Sequence, residues 1–438
     1  MASSKNKFSF LKNILKNFSS TEASSSLILL FCAGLALYMA NSTQWQELYK
    51  TIVHYPLSLN LGSYSIKANF HYIINEGLMS LFFFVVGMEI KRELVEGELS
   101  SPKKASLPLI AAIGGSLVPA LIFYFFNQGL TTEKGWGIPM ATDIAFAVGV
   151  LSLLSHKVPF SLKIFLLSIA IIDDIIAVLV IALFYSDSTS GPFLALVLIL
   201  SFSIFLYFKL HLNNKLLLSF LALALWTCLY NSGIHATLSG VILGALIPGK
   251  SRWSEKQALD SVKKVFSKKE ETSLSELKNL KGMVEDTKSI LQRLISLYHP
   301  YVSYIIMPLF AFANAGILIK GVVFIDWIQA PVSLGIILGL FVGKPLGITL
   351  FSYFACFTKL SQKPEDISWI QITAVSFLAG IGFTMSLFIL NLGLGTDHPA
   401  YSFAKISIIF ASFAAAVVGL VLLGFGKTVP LKQRKNPV

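Results

Sequence analysis

The sequence predicts an all-α integral membrane protein of about twelve transmembrane helices, and three observations carry that prediction. First, 55% of the 438 residues are hydrophobic and only 13% are charged, with a mean hydropathy of +0.71; soluble domains carry about 25% charged residues. Second, apolar stretches long enough to cross a bilayer recur from one end of the chain to the other. Third, most of the 35 lysines and arginines fall at the chain ends and in alternate loops. That asymmetry sets orientation in the membrane, with both termini cytoplasmic and an even number of crossings. The formal net charge of +12 is therefore a topology signal and does not point to a nucleic-acid partner. The three cysteines, Cys32, Cys228 and Cys356, are scattered through apolar stretches, a pattern that suggests neither a disulfide framework nor a metal site. No cofactor is implied.

Residues 1–24 read as a cytoplasmic amphipathic segment. Phe8, Leu11, Ile14, Leu15 and Phe18 share one helical face opposite Lys5, Lys12 and Lys16, as in a helix lying on an anionic bilayer surface, and the segment does not resemble a cleavable signal. The transmembrane domain, 25–425, follows. Its spans are expected at 25–41, 72–90, 105–126, 136–155, 160–185, 192–208, 215–232, 234–248, 300–319, 332–357, 369–392 and 403–425. The 234–248 stretch is short for a crossing, so eleven is the alternative count.

Between the first two spans, residues 57–67 alternate apolar and polar side chains around Leu61-Gly62, which predicts a small β-hairpin on the outer face. Such a hairpin is either a capping loop or an edge that a second copy of the chain can extend into a homodimer. Residues 250–290 are the one clearly soluble insertion, a mixture of Lys and Glu from Lys250 to Lys288 with nothing catalytic in it. Residues 426–438 form a basic cytoplasmic tail.

The chemistry is carried by polar residues inside the apolar runs. In the fifth span, Asp173 and Asp174 stand side by side within Ile169 to Leu179. A charged residue at a helix centre is unfavourable by at least ~2.5–3.5 kcal/mol on insertion scales, so intramembrane carboxylates mark functional sites by default. In the fourth span Pro139 precedes a third aspartate, Asp143, by one helical turn. Proline removes a backbone donor and clashes with the preceding turn, so the helix should unwind near Thr142 and Asp143. In the eleventh span Gly380, Gly382, Thr384 and Ser386 make another place where helix gives way. In the tenth, Lys344 stands alone in an apolar run beside Pro345.

These interruptions have an arrangement. Spans three to five form a triple whose middle helix is broken and whose third helix carries Asp173 and Asp174. Spans ten to twelve form a second triple, again broken in the middle, with Lys344 on its first helix. The broken helices are separated by an odd number of spans, which reverses chain direction across the membrane, so the triples are candidate inverted repeats. Interrupted helices at matching positions of two halves point to a transporter's binding site near the bilayer midplane. Half-helix ends present unpaired N–H groups on one side and unpaired C=O groups on the other. Asp143 suits the positive ends and Lys344 the negative ends. Asp173 and Asp174 offer hard oxygen ligands to a small cation such as Na+ or Li+. Carboxylates that coordinate a cation when ionised must release it when protonated, so proton and cation compete for one site. Competition plus alternating access is sufficient for antiport.

Six stretches in order resemble the bacterial NhaA-type sodium–proton antiporters: Pro-Met-Ala-Thr-Asp143-Ile-Ala-Phe-Ala, Ile-Ile-Asp173-Asp174-Ile, Ser-Gly-Ile-His235-Ala-Thr-Leu, Met-Pro-Leu-Phe-Ala-Phe-Ala-Asn314-Ala-Gly, Gly-Lys344-Pro-Leu-Gly-Ile and Gly-Ile-Gly-Phe-Thr384-Met-Ser. Inverted repeats are an established property of that family. The resemblance implies twelve spans, crossed broken helices at spans four and eleven, and electrogenic exchange of cytoplasmic Na+ or Li+ for external H+ in the bacterial inner membrane. It implies that Asp174 is the principal cation ligand, with Asp173 its partner and paired to Lys344 in one protonation state, and that Thr142 and Asp143 line the site. Glu89 and Arg92 match cytoplasmic funnel positions, and Glu76 matches an acidic position on the second span. His235 matches a histidine linked to pH response, or is a structural hydrogen-bonder near a helix start. Two departures stand out. Ahead of His299-Pro300 the well-studied members of the family carry an acidic residue and a second histidine linked to pH sensing, where this chain has Ile295 and Ser296. The 250–290 insertion is also longer than in the shortest members.

Two rival functions fit less well. An intramembrane aspartyl protease also buries two aspartates, but on separate helices facing each other; neighbours on one helix point about 100° apart. A sodium-coupled solute symporter of related inverted-repeat fold needs a roomy polar pocket, for which this chain supplies few groups.

Overall fold

A computed structural model describes residues 21–61, 64–154, 158–186, 190–210, 212, 214–249, 289–319 and 321–425. The expected amphipathic helix within 1–20, the insertion from Lys250 to Lys288 and the basic tail at 426–438 lie outside the described residues. In chain order the elements are α1 (Thr21–Asn41), α2 (Gln46–Val53), β1 (Pro56–Leu61), β2 (Tyr64–Asn69), α3 (Phe70–Val95), α4 (Pro102–Asn127), α5 (Ile144–Ser152), α6 (Phe160–Phe184), α7 (Gly191–Lys209), α8 (Lys215–Asn231), α9 (Leu238–Leu246), α10 (Ile290–Ala315), α11 (Pro331–Phe357), α12 (Trp369–Ala379), α13 (Phe383–Gly393) and α14 (Tyr401–Phe425). Among the described residues, nine helical stretches are long and apolar enough to cross a membrane, and α12 with α13, bent by 45°, makes a further broken span. The protein is an all-α, multi-pass membrane protein, with one two-stranded hairpin among the described residues.

The helices form because a bilayer offers no hydrogen-bond partners, so each crossing segment must satisfy its own backbone. Short polar side chains cap the starts of several of them. Ser368 and Gln371 make a reciprocal capping box at the start of α12, Ser289 caps α10 and Asn214 caps α8. The stretch expected to cross at 234–248 is helical only over Leu238–Leu246. At about 1.5 Å per residue it reaches less than half of a bilayer core. A left-handed Gly233 (φ 84°) precedes it, and Pro248 with Gly249 stops it.

Among the described residues, three spans contain a widened π-type turn: Ile73–Leu78 in α3, Val302–Ile306 in α10 and Gly339–Gly343 in α11. The last two run into Pro308 and Pro345. A proline cannot donate to the carbonyl four residues back and clashes with it, and a wider turn relieves both.

The chain divides into two compact units. The first holds Met1–Met79, Ser101–Ser188 and Ser303–Val438. At its centre, α6 is buried without interruption from Ser168 to Asp174, whereas Leu179, Leu183 and Phe184 near its end are exposed as lipid-facing residues would be. Next to it α4 and α11 approach backbone to backbone. A Cβ on Gly347 would overlap the Gly114 carbonyl oxygen and lie 2.6 Å from its carbon, so only glycine permits this contact. The hairpin belongs to this unit. It pairs antiparallel from Pro56 opposite Asn69 to Leu61 opposite Tyr64, slightly longer than the expected 57–67, and Asn69 caps α3 by accepting from the Tyr72 N–H at 2.7 Å.

The second unit holds Ser80–Ser100 and Thr189–Val302. There α7 and α8 pack around Val197, Ile204, Leu225 and Leu229, with Ile242, Leu243 and Leu246 of α9 against that cluster. The Trp226 indole donates to Ser80 Oγ at 3.0 Å, and Gln292 Nε2 to Glu96 Oε2 at 2.6 Å.

Candidate cation-binding site

Two broken spans and the helices α6, α11 and α4 build the site, all within the first unit. In the fourth span a 3-10 run, Glu133–Met140, ends just after Pro139. The backbone is extended at Ala141 (φ −76°, ψ 147°) and still non-helical at Asp143 (φ −84°, ψ 96°), after which α5 begins. In the eleventh span α12 stops at Ala379 and α13 starts at Phe383. Gly380 allows the break to lie close against the π-turn of α11: a Cβ there would sit 2.5 Å from the Leu340 carbonyl oxygen.

The breaks meet and satisfy each other's backbone. The Asp143 N–H donates to the Ile381 carbonyl at 2.7 Å, and the Thr142 hydroxyl lies 2.8 Å from the Ala379 carbonyl oxygen. The Asp143 carboxylate accepts from the Phe146 N–H at 3.0 Å, capping α5, and from the Thr384 N–H at 3.1 Å and the Thr384 hydroxyl at the start of α13. One carboxylate therefore serves the positive ends of two half-helices. Phe383 N–H, the first donor of α13, is taken by Ser412 Oγ at 3.1 Å, and Ser386 Oγ donates to the Ile138 carbonyl at 2.7 Å.

Across from the breaks stand Asp173 and Asp174 on α6, each only 2% exposed. Lys344, fully buried at the first turn after the π-segment of α11, places Nζ 2.8 Å from Asp173 Oδ2. It also donates to the Met140 carbonyl, the last of the 3-10 run. An ammonium thus lies against the negative end of a half-helix. Asp174, the next residue along, also acts on the Lys344 charge. Asp173 Oδ1 accepts from Ser116 Oγ at 3.2 Å, and its Oδ2 lies 2.7 Å from Thr142 Oγ1. That hydroxyl has one proton and faces two acceptors, Asp173 and the Ala379 carbonyl.

The structure thus brings Asp143, Thr142, Asp173, Lys344, Thr384 and the two breaks, with Pro139, Gly380 and Gly382, into one buried cluster. Glu76 lies in the same unit, half-buried on the π-segment of α3, outside this set of hydrogen bonds. Glu89, Arg92, His235 and His299 belong to the other unit. There the charges of His299 and Arg92 act on Glu89, and His235 is half-buried in the turn before α9, where its carbonyl accepts from the Leu238 N–H at 3.1 Å. Ile295 is buried, and the Ser296 hydroxyl returns to the Gln292 carbonyl at 2.8 Å, so neither position holds a titratable group. Sequence reasoning missed Ser116 and Ser412. Ser116 had a visible signal, a polar residue after Gly114-Gly115 at the middle of the third span.

Comparison with known proteins gives the chain a family. The Na+/H+ antiporter 1 family matches residues 16–423. The Na(+)/H(+) antiporter NhaA of Tolumonas auensis is 43% identical over 428 residues, covering 97% of this chain and 98% of that one. The Na(+)/H(+) antiporter NhaA 1 of Clostridium beijerinckii is 43% identical over 417 residues, 94% and 96% of the two chains. The antiporter of Citrobacter koseri is 42% identical over 410 residues, 92% and 96%. With similarity running nearly end to end at that level, the chain belongs to the Na+/H+ antiporter 1 family.

Proposed function

We propose that this transporter, which is not an enzyme, exchanges cytoplasmic Na+ or Li+ for external H+ by alternating access, with Asp174 and Asp173 as the ligands of the transported cation. The observation that carries the reading is the meeting of two broken spans beside α6, which puts carboxylate, hydroxyl and carbonyl oxygens around one buried point. Oxygen donors of that kind suit a small hard cation held loosely enough to leave. Thr142 and Asp143 line the site. Asp143 fixes the positive half-helix ends, and Lys344 balances a negative end together with the Asp173 charge. The cycle is electrogenic, because Asp173 paired with Lys344 supplies a second titrating group besides the principal ligand, Asp174. Glu89 and Arg92, in the second unit, serve as cytoplasmic funnel residues, Glu76 is an acidic group on the second span, and His235 and His299 are candidates for a pH response. The chain lies in the bacterial inner membrane with both termini cytoplasmic, and 57–67 is a dimer contact.

The deciding experiment is proton flux in proteoliposomes on adding Na+, Li+ or K+ over a range of pH, with a voltage-sensitive dye read in parallel. Na+-driven proton movement with a voltage signal is the expected result; exchange without one makes the cycle electroneutral, and exchange with K+ alone refutes the proposed ions. The pH dependence follows from competition. Protons that occupy Asp173 and Asp174 exclude Na+, so apparent Na+ affinity should improve as pH rises until both are ionised. With Ile295 and Ser296 in place of titratable groups, activity should persist at neutral and mildly acidic pH. Saturating Na+ should recover much of the rate lost in moderate acid. A rate near zero below neutrality at every Na+ concentration would require a separate sensor.

A further inference from the structure

Asn314 sits in a motif that the cation site does not use, yet its carboxamide joins α10 to α3 and α13, and Asn391 carries the network on to α14. Its Oδ1 accepts from Asn391 Nδ2 of α13 at 2.9 Å and lies 3.1 Å from His71 Nε2 of α3. Its Nδ2 donates to Asn75 Oδ1 at 2.9 Å and to the Phe310 carbonyl at 3.0 Å. Asn75 Nδ2 in turn faces the His71 ring, 3.1 Å from Nδ1 and 3.0 Å from Nε2. Tyr401 of α14 donates to Asn391 Oδ1. Asn391 lies about two turns beyond Thr384 on the same face of α13, so the network holds the far end of the half-helix whose near end holds Asp143. It lies at the hairpin end of α3, just after Asn69.

The three side chains His71, Asn75 and Asn314 close a ring of three contacts. Each contact needs one donor and one acceptor. Each asparagine brings one of each, and a neutral imidazole also brings one of each, so the ring is satisfied in the tautomer whose Nε2–H donates to Asn314 Oδ1 while Nδ1 accepts from Asn75 Nδ2. An imidazolium brings two donors, leaving two acceptors for three contacts. Turning either amide moves the donor-to-donor contact elsewhere without removing it. Other charged or titratable groups face this ring. His54 has its ring 6.3 Å from that of His71, and the charge of Lys405 acts on His71. Lys405 itself donates to the Gly316 carbonyl at 3.2 Å and lies over the Tyr401 ring at 5.2 Å. Tyr49 donates to the Phe312 carbonyl at 2.8 Å. On α3, Glu76 is the next acidic group.

We propose that Asn314 is a positioning residue for transport, fastening the end of α13 remote from the cation site, and that the fastening holds only while His71 is neutral. This rests on the topology proposed above, which puts the hairpin end outside, so protons arriving from the side that drives exchange release the half-helix. Loss of one net hydrogen bond shifts a two-state equilibrium by roughly twofold to tenfold.

The test is equilibrium exchange of radioactive Na+ in proteoliposomes with equal pH and saturating Na+ on both sides, so no gradient drives it. His71→Gln keeps a donor and an acceptor but cannot titrate, and competition at the aspartates is common to both proteins. The wild-type rate divided by the His71→Gln rate should rise by roughly threefold or more between about pH 8 and about pH 5.5. Asn314→Ala, lacking the hub, should show no such step. A ratio that stays constant with pH overturns the proposal. Hydrogen–deuterium exchange of the 386–400 segment, corrected for intrinsic rates, reads the latch without transport. Protection should fall in acid in the wild type and not in His71→Gln, and equal behaviour again overturns it. Absent Na+ exchange with an intact exchange-mass difference would instead refute the transport reading and leave the latch supported.

Discussion

Replacing Asp174 with asparagine is expected to reduce Na+-driven proton movement to background while the protein stays folded and inserted. The amide keeps the size and accepts hydrogen bonds, but it cannot supply the anionic charge that alternates between a cation and a proton. Because Asp174 is buried at the middle of α6, no water replaces the lost ligand charge. The measurement is proton flux in proteoliposomes beside a size-exclusion profile in detergent. Robust flux from a monodisperse Asp174→Asn protein would remove this residue from the primary ligand role.

Replacing Lys344 with methionine should produce the largest loss of stability. Lys344 and Asp173 are both fully buried as side chains and 2.8 Å apart, and removing one partner of such a pair leaves an uncompensated charge, on the order of 3–5 kcal/mol. The Met140 carbonyl loses its donor as well. The thermal midpoint in detergent should fall by several degrees or more. Adding Asp173→Asn to Lys344→Met should restore much of it, because a neutral pair carries no stranded charge. A midpoint that the single variant leaves unchanged would mean that the lysine carries no structural charge.

The breaks in the fourth and eleventh spans were legible because proline and paired glycines act on the backbone locally. Pro139 must disturb its own turn, and Gly380 with Gly382 weakens helix wherever it stands. The hairpin was legible for the same reason, its alternation being a property of adjacent residues. What stayed hidden depends on partners distant in sequence. Ser116 meets Asp173 only because Gly114 and Gly347 let α4 and α11 touch. The π-turn before Lys344 needed the knowledge that Pro345 displaces a carbonyl rather than kinking the helix. Asn314 was visible as part of a motif, but its partners His71, Asn75 and Asn391 lie on other helices, and no spacing rule connects them. The eighth stretch is helical over fewer residues than its apolar composition because the turn after left-handed Gly233 keeps 234–237 out of the helix and Pro248 follows its end.

The single proton of the Thr142 hydroxyl makes occupancy of the site a matter the backbone can register. While Asp173 is ionised, that proton is contested between its carboxylate and the Ala379 carbonyl, the last of α12. When Asp173 carries a proton of its own, the carboxyl can donate to Thr142, and the hydroxyl is then committed to Ala379. The end of α12 is tied down in one case and underserved in the other. A change of one hydrogen at a side chain on α6 is thereby converted into a change in how firmly the fourth and eleventh spans hold one another, with no intervening lever.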